Sequence, residues 1–141
     1  MTLLIREFEE SDRADMISLW ERCLLTRPWN NPSTDIDLAL RTEDATVFVG
    51  TLKGPIVAAM MVGFDGHRGW VYYLGVDPAY RGRGYGRRMM VHAEDWLKAK
   101  GSPKIQLMVR DDNQAAIGFY EALSYAPQKV IVLGRRLDGD G

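Results

Sequence analysis

The chain is short of the residues that support disulfide or metal chemistry. Among its 141 residues it has one cysteine, Cys23, and two histidines. A single cysteine excludes an internal disulfide and a cysteine-rich zinc site. Within "LWERCLL", Cys23 is expected to pack as a small apolar side chain. We therefore expect no bound metal.

The chain also lacks a dominant charge and any long apolar run. Lys and Arg number 18 against 19 Asp and Glu, a formal net charge of −1, so no global basic field indicates nucleic acid. No apolar run approaches the ~18 residues of a membrane span. The opening "MTLLIREFEESDR" is too short and too charged for a signal peptide. We expect a cytoplasmic protein without nucleic-acid or membrane partners, folded as a single domain over residues 1–141.

The apolar pattern predicts an α/β (α+β) fold with the element order β-α-α-β-β-β-α-β-α-β. The strand over 56–64 is almost continuously apolar, as in a strand buried on both faces. A right-handed crossover should make strands 70–76 and 104–110 parallel. Ser11 is predicted to cap the first helix, with Met16, Trp20, Cys23 and Leu24 on one face. The predicted strands are 3–8, 45–52, 56–64, 70–76, 104–110 and 129–137, and the helices are 11–23, 32–41, 84–100 and 113–124.

The stretch "DPAYRGRGYGRR" (77–88) lies between a predicted strand and a predicted helix. The first N–H groups of a helix have no intrahelical partner, and the helix dipole is positive there. Glycines allow a ligand to approach the backbone, so Gly82, Gly84 and Gly86 indicate an anion site. A glycine-rich surface turn with solvated arginines is the alternative. The stretch matches neither the G-x-G-x-x-G nor the G-K-[ST] phosphate loop.

Two motifs resemble the GNAT superfamily of N-acetyltransferases. The segment "VDPAYRGRGYG" (76–86) is similar to its acetyl-coenzyme A signature, a strand followed by [RQ]-x-x-G-x-[GA]. The segment "DNQAAIGFYEALSY" (112–125) resembles N-x-x-A-x-x-x-Y-x-x-x-G-[FY], except that Ser124 replaces the glycine. If Ser124 has positive φ, the helix end is strained by about 1 kcal/mol. "RPWNNP" and "DGHRG" resemble the bacterial YpeA-type branch.

The resemblance implies that acetyl-coenzyme A is the acetyl donor, bound where strands 70–76 and 104–110 splay apart. Asn113 would contact the cofactor, or would only cap its helix. The backbone of the first strand would bind the pantetheine arm, and the glycine–arginine loop would bind the pyrophosphate. The implied cofactor residues are Leu74, Gly75, Val76, Arg81, Gly82, Arg83, Gly84, Tyr85, Gly86, Arg87 and Asn113.

Tyr120 is the implied catalytic residue. It follows Asn113 by seven residues, so both lie on about the same helix face. A phenol titrates near ~10 and a thiol near ~8.5, so Tyr120 can act as the general acid for the leaving thiolate. The alternative is a core aromatic beside Phe119.

The acceptor side is less marked in the sequence. Arg27, Trp29 and Asn30 belong to a loop that forms one wall of the acceptor site in related enzymes, although Trp29 could simply anchor that loop. Asp65 and His67 lie in a turn and are either substrate-binding or plain surface residues. Trp70 and Met108 occupy positions where related enzymes often carry a Glu base.

Without that Glu, proton removal would go through ordered water, with His67 or Asp65 as a relay, or the acceptor would arrive neutral. The predicted function is acetyl transfer from acetyl-coenzyme A to a primary amine of a small molecule or peptide. A non-catalytic acetyl-coenzyme A sensor is the alternative, and the sequence leaves a homodimer open.

Overall fold

The computed structural model describes residues 2–139, in two compact units, one up to Met108 and one from Val109. No helix within the described residues is long and apolar enough to cross a membrane. The second unit contains α4 (Gln114–Ala122). The first unit contains α1 (Arg13–Arg22), α2 (Pro32–Leu40), α3 (Tyr85–Lys100), β1 (Leu4–Glu7), β2 (Ala45–Thr51), β3 (Ile56–Phe64), β4 (Gly69–Val76) and β5 (Ile105–Leu107).

The five strands form one mixed sheet in the order β1-β2-β3-β4-β5. Neighbouring strands are antiparallel up to β4, and β4 and β5 are parallel. This confirms the predicted mixed sheet and its parallel pair. The strand predicted over 104–110 is shorter, because β5 ends at Leu107.

Helices cover both faces of the sheet. Val47 and Val49 of β2 belong to an apolar cluster with residues of α1 and α2. Phe48 lies between them and makes edge-on contacts with His92 and Trp96 of α3. Because alternate residues of a strand point to opposite faces, α1 and α2 pack on one face and α3 on the other. This agrees with the predicted two-sided burial of β3, in which Val57–Met60 and Val62 are buried.

The first helix differs from the prediction at both ends. Ser11 lies within a 3-10 turn, Glu10–Asp12, and does not cap α1. Asp12 organises this end instead, since its carboxylate accepts hydrogen bonds from Glu9 N (2.8 Å) and from the Arg6 guanidinium (2.8 and 2.9 Å). At the other end Leu24 has φ 59 and is 76% exposed. The predicted buried face therefore ends before Leu24.

The strand predicted over 129–137 is not formed. Residues 129–137 have no strand assignment and no ladder partner within the described chain. Val130 to Leu133 are 65–90% exposed. A strand requires a neighbour for its backbone N–H and C=O groups, and the apolar pattern that suggested this strand does not supply one.

Candidate active site

The glycine–arginine loop joins β4 to α3 and ends in an uncapped helix N-terminus. Gly82 and Gly84 have φ 79 and 82, in the left-handed region. Gly84 is the N-cap, so no side chain caps the helix. The first helical bond in this turn is Arg88 N to Gly84 O (3.1 Å), which leaves the N–H groups of residues 85–87 without an intrahelical acceptor. The first turn carries no acidic residue, so its field favours an anion.

Space outside this loop is open to a ligand. A Cβ built on Gly82 or Gly84 would meet no atom within 4 Å. Arg83 lies 5.3 Å from the Tyr80 ring. Arg81 turns back, and its Nε donates to Val76 O at 3.0 Å. The loop therefore combines a free backbone surface with two guanidinium groups held by local contacts.

A β-bulge interrupts β4 at the point where the predicted pantetheine-binding residues begin. Between the pairs Met61–Tyr72 and Ala59–Gly75, two residues of β4, Tyr73 and Leu74, face one residue of β3. Tyr73 has φ 58. Bulges bend a strand and disturb its ladder, and the pairing of β4 with β5 already ends at Val71. From Tyr72 to Val76, β4 has no ladder on its β5 side within the described residues.

One face of this strand end is closely packed. A Cβ on Gly75 would lie 2.9 Å from Cys23 Sγ, so only glycine fits here without movement. Cys23 Sγ also donates to Val76 O at 3.3 Å. Burial raises the pKa of the Cys23 thiol. The prediction that Cys23 packs as a small side chain therefore agrees with its contacts, although it is only half-buried.

A cavity of about 380 Å³ adjoins the bulge within the first unit. The bulged Tyr73 is fixed there from two sides. Its ring stacks on Trp20 with centroids 4.3 Å apart, and its hydroxyl donates to Asp35 Oδ2 at 2.6 Å. Burial and Asp35 raise the pKa of the Tyr73 phenol, which keeps it a donor. The lining residues include Asn30, Asp35, Leu38, Met61, Tyr72 and Tyr73.

The amino-acid sequence matches a known protein family. The acetyltransferase (GNAT) family model matches residues 5–125. The chain belongs to the GNAT family. An acetyltransferase of Yersinia enterocolitica is 48% identical over 133 residues, 94% of each chain. One of Pectobacterium atrosepticum is 48% identical over 136 residues, 96% of each chain. The protein is thus an acetyltransferase.

Solved structures share the fold of this GNAT acetyltransferase. An aminoglycoside N-acetyltransferase, AAC(6')-Iy, solved with CoA, superposes with a TM-score of 0.81 at 14% identity, covering 96% of this chain and 95% of that one. Glucosamine-6-phosphate N-acetyltransferase from Arabidopsis thaliana superposes with a TM-score of 0.74 at 22% identity, covering 98% and 100%. At these identities the likeness concerns the fold alone.

The predicted acceptor residues of this acetyltransferase have different environments. The Arg27 guanidinium donates to Leu24 O (2.7 Å) and Thr26 O (2.9 Å), so it is engaged with its own loop. Trp29 is 55% exposed. Asn30 lines the cavity. Of the three loop residues, only Asn30 therefore faces the space beside the bulge.

The turn residues form a compact hydrogen-bonded unit. Asp65 Oδ1 accepts from His67 N (2.8 Å) and Arg68 N (2.7 Å), and Oδ2 accepts from Trp70 Nε1 (3.2 Å). Backbone donors are the main reason that the pKa of Asp65 is lowered. His67 is exposed. A carboxylate held in this way is a weak proton acceptor.

The second unit carries the other family motif. Asn113 Oδ1 accepts from Ala116 N at 3.1 Å, which confirms the predicted helix cap. The ring of Tyr120 meets Phe119 and Tyr125 edge-on, and burial raises its pKa to about 12. Ser124 has φ 71, and Tyr125 N donates to Tyr120 O at 3.0 Å. Ser124 therefore occupies the left-handed position of a Schellman helix end, as its place in the motif suggested.

Sequence reasoning missed Asp35, Tyr72 and Tyr73. Asp35 lies one turn inside α2, whose N-terminus is capped by Asn31 (Thr34 N to Asn31 Oδ1, 3.2 Å). Its hydrogen bond to Tyr73 spans 38 positions in the chain. No local sequence pattern indicates such a pair. An acidic residue in the first turn of a helix is also explained by its favourable interaction with the helix dipole.

Proposed function

We propose that this acetyltransferase transfers the acetyl group of acetyl-coenzyme A to a primary amine of a small molecule or peptide. The observation that carries the proposal is the uncapped N-terminus of α3, with left-handed Gly82 and Gly84, at the end of a bulged strand. Backbone N–H groups at a helix N-terminus bind phosphate oxygens well. The pyrophosphate is assigned to the backbone N–H groups of residues 82–87 in this proposal.

The pantetheine arm is assigned to Leu74, Gly75 and Val76. An extended amide chain can pair with the free side of a strand, and this part of β4 has no ladder on that side within the described residues. The Val76 carbonyl already accepts from Cys23 and Arg81. Arg81 would have to release it on binding, or would remain beside the ligand.

The reaction proposed is direct attack. The amine nitrogen forms a bond to the thioester carbonyl carbon, and the carbon–sulfur bond breaks. The amine gives up a proton to water, the leaving sulfur receives one from the Tyr120 hydroxyl, and water returns a proton to the Tyr120 oxygen before the next turnover. Burial raises the pKa of Tyr120 to about 12, so the phenol is protonated at neutral pH and has a proton to donate, while the same shift makes it a weaker acid than one whose pKa lies near the working pH.

The base is assigned to solvent in this proposal. Trp70 and Met108 cannot accept a proton, and the Asp65 carboxylate is engaged by the turn. A pH–rate profile of His67→Ala and Asp65→Ala tests the relay. Profiles equal to that of the wild type would show that neither residue takes part in proton transfer. Loss of the basic-side rise in either variant would assign the relay to the residue that was replaced.

Release of free thiol from acetyl-coenzyme A across a panel of amines tests the function itself. Amine-dependent thiol release, with a matching acetylated product by mass spectrometry, is the expected result. Tight binding of acetyl-coenzyme A without thiol release from any amine would instead indicate a non-catalytic sensor. Asn113 and Tyr120 would then serve only helix capping and packing.

A further inference from the structure

The cavity beside the bulge lies where an acetyl group would end. A strand advances ~3.3 Å per residue, so Tyr72 and Tyr73 lie roughly 10–13 Å along β4 from Val76, back from the anion loop. A cofactor held at that loop and extended along Leu74–Val76 would bring its thioester to Tyr72 and Tyr73. Both residues line the cavity.

The cavity lining suits a compact cation. Leu38, Met61 and Val62 supply apolar surface, and Tyr72 supplies an aromatic wall. Asp35 is the one carboxylate among the described lining residues, which include no lysine or arginine. The volume of about 380 Å³ is near the lower end of small-molecule sites, which begin at ~300 Å³.

Asp35 is held in place with one oxygen available. Its Oδ2 accepts from Tyr73, whose ring is stacked on Trp20. Among residues 2–139 no hydrogen-bond donor to Oδ1 is found, and Asp35 is half-buried. A carboxylate with this geometry can accept one N–H of an ammonium group without giving up its contact to Tyr73.

We propose that this cavity is the acceptor pocket, that it takes a compact primary amine with an apolar body and a single positive charge, and that Asp35 binds the amine. The proposal rests on the proposed acetyl transfer. It excludes polycationic acceptors, because a single carboxylate leaves their remaining charges unpaired in an apolar pocket.

Binding can be measured without turnover. Met61 lines the cavity and is the one methionine among residues 2–139 that does so. In protein labelled with ¹³C-methyl methionine and saturated with CoA, 2-phenylethylamine should shift the Met61 signal. Asp35→Asn should raise the Kd at least about tenfold, the value of a hydrogen bond to a charged group.

Asp15→Asn is the matched control. Asp15 is exposed on α1 and is absent from the cavity lining, so the same charge change there should leave the Kd unchanged. A Kd for Asp35→Asn within about twofold of the control would overturn the proposal, as would a titration that leaves Met61 unshifted.

A purely structural role for Asp35 has a different signature. Tyr73→Phe removes the hydroxyl contact and keeps the carboxylate. If Asp35 only fixed the bulge, Tyr73→Phe would raise the Kd by as much as Asp35→Asn does. We expect instead that Asp35→Asn alone markedly weakens binding of 2-phenylethylamine. The same variant should weaken binding of aniline much less, because aniline is uncharged at pH 7.

Steady-state kinetics complete the test. With 2-phenylethylamine as acceptor, Asp35→Asn should raise KM more than it lowers kcat. Since a carboxylate stabilises the ammonium form, the basic-side rise of kcat should move to lower pH in this variant. Faster acetylation of kanamycin than of 2-phenylethylamine by the wild type would overturn the proposal.

Failure of this inference is separable from failure of the proposed function. If Asp35→Asn releases thiol as fast as the wild type does, the acceptor-pocket proposal is contradicted and the proposed acetyl transfer still stands. If the amine shifts the Met61 signal only when Asp35 is present, but the wild type releases no thiol, the proposed acetyl transfer is contradicted and the pocket proposal still stands.

Discussion

Helix α3 begins and ends on a left-handed glycine, which allows backbone strain to be separated from ligand binding. Gly84 has φ 82 at the N-cap and Gly101 has φ 89 at the C-cap. An added Cβ at either position would meet no atom within 4 Å. Alanine at either position should therefore lower the free energy of unfolding only by the cost of a left-handed backbone conformation, about 1 kcal/mol. Both variants should lose about 3 °C in Tm.

Only Gly84 borders the proposed anion site. A methyl group there would project into open space that a phosphate must enter to reach the N–H groups of the first turn. Losing one hydrogen bond to a charged group costs about 1.5–3 kcal/mol. Gly84→Ala should therefore weaken acetyl-coenzyme A binding by about ten- to a hundredfold, while Gly101→Ala should bind as the wild type does.

Calorimetric titration with acetyl-coenzyme A and urea unfolding provide the two measurements. The unfolding data establish whether the strain is equal in the two variants. A wild-type Kd for Gly84→Ala as well as for Gly101→Ala, at equal stability, would refute the placement of the pyrophosphate at this loop. A binding loss in Gly101→Ala as large as in Gly84→Ala would show that helix stability alone controls affinity.

Three further predictions concern single side chains. Tyr120→Phe should lower turnover by about 10²–10⁴-fold with nearly unchanged acetyl-coenzyme A affinity, and full turnover in a thiol-release assay would assign Tyr120 to packing. Ser124→Gly should raise the urea-measured unfolding free energy by about 0.5–1 kcal/mol, because glycine relieves the strain at φ 71 and its own entropic cost is smaller. Asp12→Asn should lower that free energy by about 1–3 kcal/mol at pH 7. The pKa of Asp12 is lowered by Arg6, so this loss should shrink as pH falls below ~3.9; a loss independent of pH would contradict it.

The features that sequence reasoning found are local ones. The glycine-rich start of α3 and the Asn113 cap depend on residues a few positions apart, so their spacing was sufficient to predict them. The positive φ of Ser124 could be suspected for the same reason, because it occupies a fixed place at the end of a helix. Asn30 was identified only through the family resemblance of its loop.

The amino-acid sequence by itself determined the order of the elements as far as α4, the glycine–arginine loop between β4 and α3, and the family. The tertiary structure decided the bulge at Tyr73 and Leu74, the pair formed by Asp35 and Tyr73, and the cavity beside them. It also decided that residues 129–137 form no strand. The reason is physical: a helix satisfies its backbone with its own neighbours, whereas a ladder, a bulge or a pocket exists only where distant segments meet.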